Sequence, residues 1–483
     1  MQVEFLPEPE LEFGSGRHVD IRFGLMNYGP LDAGTPLAPK KIRLGLVGTS
    51  GTVDGVHEWL ERCRNGIAAK RSNQPNLFPK FPGYGSQKNL RASFLMEPQL
   101  EGILPSRELE KLCQNKNSSL VIQKAAEMFF DQLQHLNEKT YVDVLICAVP
   151  MLLYEHLVDN SETGDAGIQE RMGENENVRF DFHHLLKAKA MTLGKPIQII
   201  LPMTYDEGKR RPKKRKTDQP RQLQDEATRA WNFYTALYYK AGGTPWRLIR
   251  ESSQTTVCYI GIGFYKTLDN SRLLTSTAQV FNERGYGIIL RGGAARVSKS
   301  DKQVHLQADD AKELLDRAMK TYKNEHGNLP ARVVLYKSSS YSPDEDQGFT
   351  TALQENQVQS FDFISIRDSF TRLYRNGKYP TLRGTLFSKD DLSHILYTRG
   401  SVDFFCTYPG MYVPRPLEFK CENTEQTPRV LAQEILALTK MNWNNTQFDN
   451  SEPIVLKAAR RVGDILKYVD EDHVMQTRYS FYM

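Results

Sequence analysis

The segment KIRLGLVG (41–48) is followed by the turn TSGTVDG and by VHEWLERCRNGIAA, which has helical spacing. Together they predict a strand, a glycine-containing turn and a helix in that order. Phosphate-binding units of nucleotide-binding proteins begin in the same way, but no Gly-Lys-Ser/Thr ending follows these glycines. We therefore interpret the segment as an ordinary strand-to-helix connection within a parallel sheet.

The same order repeats further along the chain. Residues 118–136 have the spacing of a long helix, and YVDVLICAVP (141–150) predicts a buried strand. RFDFHHLLKAKAMTLG (179–194) predicts a helix and KPIQIILP (195–202) another strand, before a helix over 223–243 that two glycines end. This alternation indicates a Rossmann-like parallel sheet with helices on both faces.

A second α/β unit begins near residue 255. Its predicted strands lie at 255–265, 286–293, 331–339, 361–368, 384–388 and 402–410, and helices are expected within 298–326 and around 427–440 and 453–468. Residues 1–40 are rich in glycine and proline and predict an extended lead-in. The predicted organisation is therefore a lead-in over 1–40, one α/β domain over 41–250 and another over 251–483.

The composition restricts the class of protein. The chain has 483 residues, a net charge of +5, and six cysteines without a C-x-x-C pair, so we expect a reduced cytoplasmic protein and no zinc site. No apolar run is long enough to span a membrane. Seven of the eight residues over 209–216 are basic. They predict either a solvated loop or a loop that contacts phosphates.

Five polar side chains suggest a binding site in the first α/β domain. His183 and Lys187 share one helical face, Gln198 follows on the next strand, and Asn232 and Lys240 share the face of a second helix. Two cations, two amides and an imidazole at helix ends predict a pocket for a terminal phosphate. Taken singly, a surface lysine is usually only solvated.

The order His183, Lys187, Gln198, Lys240 resembles the 5′-phosphate motif of the Argonaute MID domain, and KAGGTPWRL (240–248) is similar to the junction from MID into PIWI. Asn232 matches a further polar position of that pocket, whereas Ala236 stands where some members carry a second lysine. The resemblance implies a Mg²⁺ ion at the guide's 5′ end, held by Gln198 and the C-terminal carboxylate of Met483.

The second half carries the same resemblance. YIGIGFY (259–265) is similar to the first PIWI strand, LPARVVLYKSSSY (329–341) to the strand with the R-D-G motif, and the stretch from LAQEILALTKMNWNN to EPIVLKAA (431–459) to the closing helices. LEFGSG (11–16) and DIRFGLMNYGPLD (20–32) are similar to the opening of short prokaryotic members. The implied fold is a Rossmann-like MID domain followed by an RNase H-like PIWI domain.

The chain departs from the PIWI pattern at the catalytic positions. An active site of this type needs carboxylates to hold two metal ions, but the matching positions are Gly263, Ser338 and Ala459, and 291–299 offers no glutamate. The acidic run PDED (343–346) is the one alternative metal site. We expect no cleavage, and backbone contacts to a duplex from Arg291, Arg296, Lys299, Lys337 and Arg367.

The resemblance implies a sensor in a prokaryotic defence system. A 5′-phosphorylated guide, expected to be RNA, would pair with single-stranded target DNA. The chain would form a heterodimer with an APAZ-containing effector (a TIR or sirtuin-like NADase, or a nuclease), with a possible higher oligomer on activation. Two alternatives are a guided endonuclease with an unusual metal site and a single-strand binding scaffold that uses no guide.

Overall fold

The structure is a computed structural model that describes residues 2–85, 88–159, 180–206, 208, 223–249, 256–281, 287–376, 380–408, 413–448, 450–470 and 475–483. The basic run 209–216 lies outside the described residues. All six cysteines are free. None of the described helices combines the length and apolar character needed to cross a membrane.

The chain begins with a segment of short elements: β1 (Gln2–Phe5), β2 (Leu11–Glu12), β3 (Arg17–His18) and α1 (Ile21–Tyr28). Asp20 caps α1 by accepting hydrogen bonds from the backbone amides of Arg22 and Phe23. Glu8 is bound by two buried cations of the second half, with 2.8 Å from Arg383 Nε and 3.1 Å from Lys440 Nζ. The predicted lead-in is therefore bound to the C-terminal half of the chain.

The first α/β unit follows, with a parallel sheet that we call the front sheet. Its elements in chain order are β4 (Lys41–Gly48), α2 (Ser50–Asn65), β5 (Ser93–Leu95), β6 (Glu101–Ile103), α3 (Ser106–Cys113), α4 (Ser118–Lys139), β7 (Val144–Ala148), α5 (Met151–Asp159), α6 (Phe182–Ala190), β8 (Ile197–Ile200), α7 (Pro202–Tyr205), α8 (Glu226–Lys240) and β9 (Arg247–Leu248). The strand order is β5-β4-β7-β8, and β6 pairs with β4.

Both faces of the front sheet are buried, as its continuous apolar strands require. Leu44 and Ile146 face a core that includes Trp59 of α2. Leu145 and Cys147 face a second core with Phe129 of α4. The helices therefore lie on opposite sides of the sheet, as predicted.

The second unit is built on a nine-stranded rear sheet. Its elements are β10 (Val257–Lys266), β11 (Leu273–Phe281), β12 (Gly287–Ala294), β13 (Arg296–Val297), β14 (Val304–His305), α9 (Ala308–His326), β15 (Arg332–Lys337), α10 (Pro343–Glu355), β16 (Ser360–Asp368), β17 (Thr385–Ser388), β18 (Ser393–Leu396), β19 (Leu417–Thr424), α11 (Pro428–Leu438) and α12 (Ile454–Leu466). The order is β1-β17-β18-β19-β16-β15-β10-β11-β12, with β10, β15 and β16 parallel.

The two units are joined by reciprocal tryptophan contacts. Trp246 Nε1 donates to the carbonyl oxygen of Lys440 at 3.1 Å, and Trp443 Nε1 donates to the carbonyl oxygen of Trp246 at 3.1 Å. The ring of Trp443 stacks on Tyr239 of α8 with centroids 4.8 Å apart. Because both indoles are fully buried, the end of α8 is held firmly against the rear unit.

Candidate nucleic-acid interface

Lys187 lies on α6, whose first turn is capped by the Asp181 carboxylate. Its side chain is directed into the protein and is only 3% exposed. The Nζ atom donates to the backbone oxygens of Tyr482, at 3.3 Å, and of Met483. The last residues of the chain are therefore packed against α6.

Lys240 ends α8 and is also buried, with 5% exposure. The helix stops here because Gly242 adopts a positive φ of 93°, which favours glycine. Lys240 Nζ donates to the carbonyl oxygen of Ile197 at 2.9 Å and to Oε1 of Gln198 at 2.6 Å. The structure thus brings Lys240 and Gln198 together at β8.

The electrostatic environment of the two lysines is unusual. Within the described ranges, the partners of Lys240 are neutral oxygens. Lys187 contacts the carbonyl oxygen of Tyr482 and an oxygen of the terminal carboxylate of Met483. Burial lowers the pKa of Lys240 to about 7. Burial, and then the charges of Lys240 and Arg461, lower the pKa of Lys187 well below its usual range. Lys240 thus has no counter-charge among the described residues, although buried cations normally have one.

His183 belongs to the same cluster. Its side chain is exposed to solvent at one side, and protein atoms surround the rest of the ring. The pKa of His183 is lowered well below its usual value, first by this partial burial and then by the charge of Lys187. The ring is therefore neutral near pH 7 and offers one hydrogen-bond donor and one acceptor.

Arg461 is a member of the cluster that sequence reasoning missed. It is exposed on α12, and its charge helps to lower the pKa of both His183 and Lys187. The sequence shows two adjacent arginines in the closing helix, but only the packing of α12 on α6 brings the second one to the front unit. We call His183, Lys187, Gln198, Lys240 and Arg461 the front cluster.

Asn232 is not brought into the front cluster. It lies two turns before Lys240, about 12 Å along the axis of α8. Its Oδ1 accepts from the backbone amide of Thr446 at 2.8 Å, and its Nδ2 donates to Gln224 at 3.1 Å. Its amide therefore links the two units.

The expected Mg²⁺ ion does not fit the donors as they stand. Gln198 Oε1 and the terminal carboxylate of Met483 are the groups that would hold it, and a buried lysine already contacts each of them. A divalent cation placed between two ammonium groups would be strongly repelled. Among the described residues, the group of side chains spaced for a metal is Asp181, His183 and His184, with ligand atoms within 4.8 Å.

The three positions that match catalytic residues converge in the rear unit. A Cβ on Gly263 would lie 2.9 Å from the backbone carbon of Ala459, so α12 packs directly on β10. Ser338 follows the last registered pair between β10 and β15, which places it beside Gly263. These residues supply no carboxylate and do not fit a two-metal site.

The acidic run 343–346 has a structural role. Ser342 and Glu345 form a capping box at the start of α10. Glu345 is fully buried and also accepts two 2.6 Å hydrogen bonds from Lys337. The predicted contact of Lys337 with a duplex backbone is therefore wrong, because its charge is buried and neutralised internally.

The other predicted backbone contacts are placed differently from one another. Arg291 donates to the carbonyl oxygens of Val469 and Asp470 beyond the end of α12, at 2.9 and 3.3 Å. Arg296 and Lys299 are exposed at the β13–β14 hairpin. Arg367 is exposed at the end of β16 and lines a cavity of about 300 Å³ beside Ser338. Arg296, Lys299 and Arg367 are thus free to meet a ligand.

Comparison with solved structures agrees with this architecture. The chain matches Clostridium butyricum Argonaute bound to a guide DNA and a 19-mer target DNA (TM-score 0.65, 16% identity, 100% of this chain and 55% of that one). It also matches Drosophila Piwi (0.59, 13%, 99% and 56%), and Marinitoga piezophila Argonaute in complex with a 5′-OH guide RNA (0.55, 12%, 100% and 59%).

The chain therefore spans a little more than half the length of these proteins. At such low identity the matches establish the fold alone: an α/β chain with the arrangement of the MID and PIWI domains, which confirms the predicted fold class. No protein-family profile matches the sequence. No curated protein has a matching sequence.

Proposed function

We propose that this chain is a short Argonaute that binds a 5′-phosphorylated guide strand and uses it to capture a complementary single-stranded target. The observation that carries the proposal is the front cluster, in which two buried lysines have lowered pKa values and Lys240 has only neutral partners among the described residues. A terminal phosphate brings two negative charges and several acceptor oxygens, which is the counter-charge that this cluster lacks.

Sequence recognition then rests with base pairing. A protein that grips the strands through their backbones accepts any guide sequence, and the guide selects the target. The proposed ligands are a guide RNA and a single-stranded DNA target. Arg296, Lys299 and Arg367 are the exposed cations available for such backbone contacts.

We further propose that the chain does not cut its target. Gly263, Ser338 and Ala459 supply no metal ligand, and the close approach of α12 to Gly263 leaves no room for a longer side chain there. The enzymatic response to a captured target would then come from an APAZ-containing effector protein, in keeping with a role in prokaryotic defence. Incubation of the guide-loaded chain and target with Mg²⁺ or Mn²⁺ tests this part, and guide-dependent cleavage would contradict it.

The guide hypothesis is tested by comparing 5′-phosphorylated and 5′-hydroxyl guides. Lys187→Met keeps the side-chain volume but removes the charge, so it should reduce the preference for the phosphorylated guide by about tenfold or more. Lys189→Met is the matched control, since Lys189 is on the same helix and its ammonium makes no hydrogen bond or ion pair with the described residues. A wild-type chain that binds both guides equally would refute the proposal and favour a single-strand scaffold.

A further inference from the structure

A cavity of about 300 Å³ opens where the parallel strands β10, β15 and β16 end in the rear sheet. Its lining includes Phe264, Lys302, Gln303, Ser338, Ser339 and Arg367. The carboxyl ends of parallel strands are a usual place for ligands in α/β proteins. Its lining combines two cations with neutral polar groups and contains no carboxylate.

The two cations of this rear cavity are unneutralised. Neither Lys302 nor Arg367 has a carboxylate within ion-pair distance anywhere in the described part of the chain. Arg367 donates instead to Oε1 of Gln303 at 2.9 Å. Nearby acidic groups are engaged elsewhere: Asp301 Oδ2 lies 2.8 Å from His305 Nε2 and Asp368 Oδ2 lies 3.2 Å from Arg415.

The cavity walls are held in place by hydrogen bonds. Gln303 Oε1 also accepts from the backbone amide of Ser340 at 2.8 Å, and Ser339 Oγ donates to the carbonyl oxygen of Val304 at 2.9 Å. These bonds tie the β13–β14 hairpin to the end of β15. Lys302 sits at the hairpin tip with a positive φ of 58°, a conformation rare outside glycine. A strained backbone held by its surroundings is common at binding sites.

The chemistry of the lining selects an oxyanion and rejects a divalent cation. Metal ions of the Mg²⁺ type need carboxylate or carbonyl oxygens, whereas here a guanidinium and an ammonium face the space. A phosphodiester has one negative charge and two free oxygens, which suit an arginine fork, a lysine and a serine hydroxyl. The exposed Ser338 hydroxyl adds a donor, and Phe264 gives an apolar wall for a sugar.

We propose that the rear cavity binds one phosphodiester group of a bound strand directly through Arg367 and Lys302, without a metal ion. The proposal rests on the function proposed above, because a guide–target duplex is what would deliver a phosphodiester to this place. It adds a fixed contact at one position along the duplex, so one backbone phosphate should matter more than its neighbours.

Methylphosphonate scanning tests this inference. A methylphosphonate replaces one charged phosphate with a neutral group, and it is moved position by position, first along the target DNA and then along the guide RNA. Target affinity for the guide-loaded chain is measured by fluorescence anisotropy in EDTA. We expect one position, in one of the two strands, at which neutralisation weakens binding by about tenfold, whereas most positions change it little.

The variants then connect that position to the cavity. In Arg367→Gln, and to a lesser degree in Lys302→Gln, the loss at that position should disappear because the charge partner is gone. Both side chains are exposed, so the variants should fold. Arg429→Gln, which removes an exposed arginine paired with Glu4, should leave the profile unchanged. A flat wild-type profile, or a sensitive position that persists in Arg367→Gln, would overturn the inference.

The outcome is separable from that of the proposed function. Arg367→Gln should keep the preference for a 5′-phosphorylated guide, which depends on Lys187 and Lys240 in the front cluster. A chain with no such preference refutes the guide hypothesis, and the scan can still be run on a preformed guide–target duplex. A sensitive position there supports the rear cavity as a phosphodiester site, and a flat profile rejects it.

Discussion

Guide binding should be accompanied by proton uptake. Burial lowers the pKa of Lys240 to about 7, so at pH 8 only about a tenth of the free chain carries a proton there. A phosphate dianion beside the ammonium raises its pKa by roughly 1–3. Lys240 is then at least half protonated in the complex, and binding should take up about 0.4–0.9 proton at pH 8.

The same charging step sets the pH dependence of affinity. At pH 8, one unit above its pKa, protonating Lys240 costs about 1.4 kcal/mol. Affinity for the phosphorylated guide should therefore fall by up to about tenfold per pH unit above 7. Below pH 7 the lysine is already charged. There the guide phosphate, with a second pKa near 6, begins to lose its second charge. The affinity should thus be highest between about pH 6 and 7.

Isothermal titration calorimetry in buffers with different ionisation enthalpies measures the uptake directly. The uptake should be much smaller for a 5′-hydroxyl guide and in Lys240→Met, while Lys189→Met should behave as the wild type. Equal uptake for the two guides, or undiminished uptake in Lys240→Met, would refute the assignment of the terminal phosphate to the front cluster.

Three other outcomes follow from contacts described above. Gly263→Asp should lower the thermal unfolding midpoint, because overpacking against α12 costs roughly 1–3 kcal/mol, and it should not create cleavage. The control is Gly51→Asp, since a Cβ at Gly51 meets nothing within 4 Å. A stable Gly263→Asp variant that cleaves the target would contradict this prediction. Glu8→Gln should cost about 3–5 kcal/mol in urea unfolding at pH 7, because it leaves buried cations unpaired. Burial favours the neutral form of Glu8, but its cationic partners outweigh burial and lower its pKa, so the cost should vanish as pH falls through that lowered pKa. An unchanged pH 7 stability would contradict it. Replacing Mg²⁺ with EDTA should change guide affinity by less than about threefold, measured by anisotropy, because ammonium groups hold the oxygens that a metal would need; loss of binding in EDTA would restore the metal site.

The fold was predictable where local pattern and burial agree. The apolar runs over 41–48, 141–150 and 195–202 became β4, β7 and β8, in the parallel order that intervening helices require. The three-residue strands β5 and β6 were missed because so short a segment carries no periodicity. The place of β1 at the far edge of the rear sheet was also missed, since Gln2 pairs with Ser388 and nothing local in either segment encodes that contact.

The front cluster was partly visible in the sequence for a related reason. Lys187 and Lys240 stand on helices whose spacing and ends can be predicted, so their direction toward β8 follows from the local pattern. Arg461 and the backbone oxygens of Tyr482 and Met483 come from the other end of the chain. They join the cluster only through the packing of the two units, which no local pattern describes.

Two buried lysines, one in each unit, show which contacts distinguish an anion-binding site from a structural ion pair in this fold. Lys337 and Lys240 are both buried, and both stand in a segment that resembles a nucleic-acid-binding protein. Lys337 has the Glu345 carboxylate at 2.6 Å, so its charge is neutralised by the chain itself and an arriving phosphate would gain little. Among the described residues, Lys240 contacts only the neutral oxygens of Ile197 and Gln198, which solvate a charge but do not cancel it. The free energy gained on binding an anion is therefore largest where a cation is buried without a counter-ion. A lysine in a motif becomes a phosphate site only when no carboxylate of the folded chain lies beside it. This condition can be read from the tertiary contacts of the side chain but not from its spacing in the sequence.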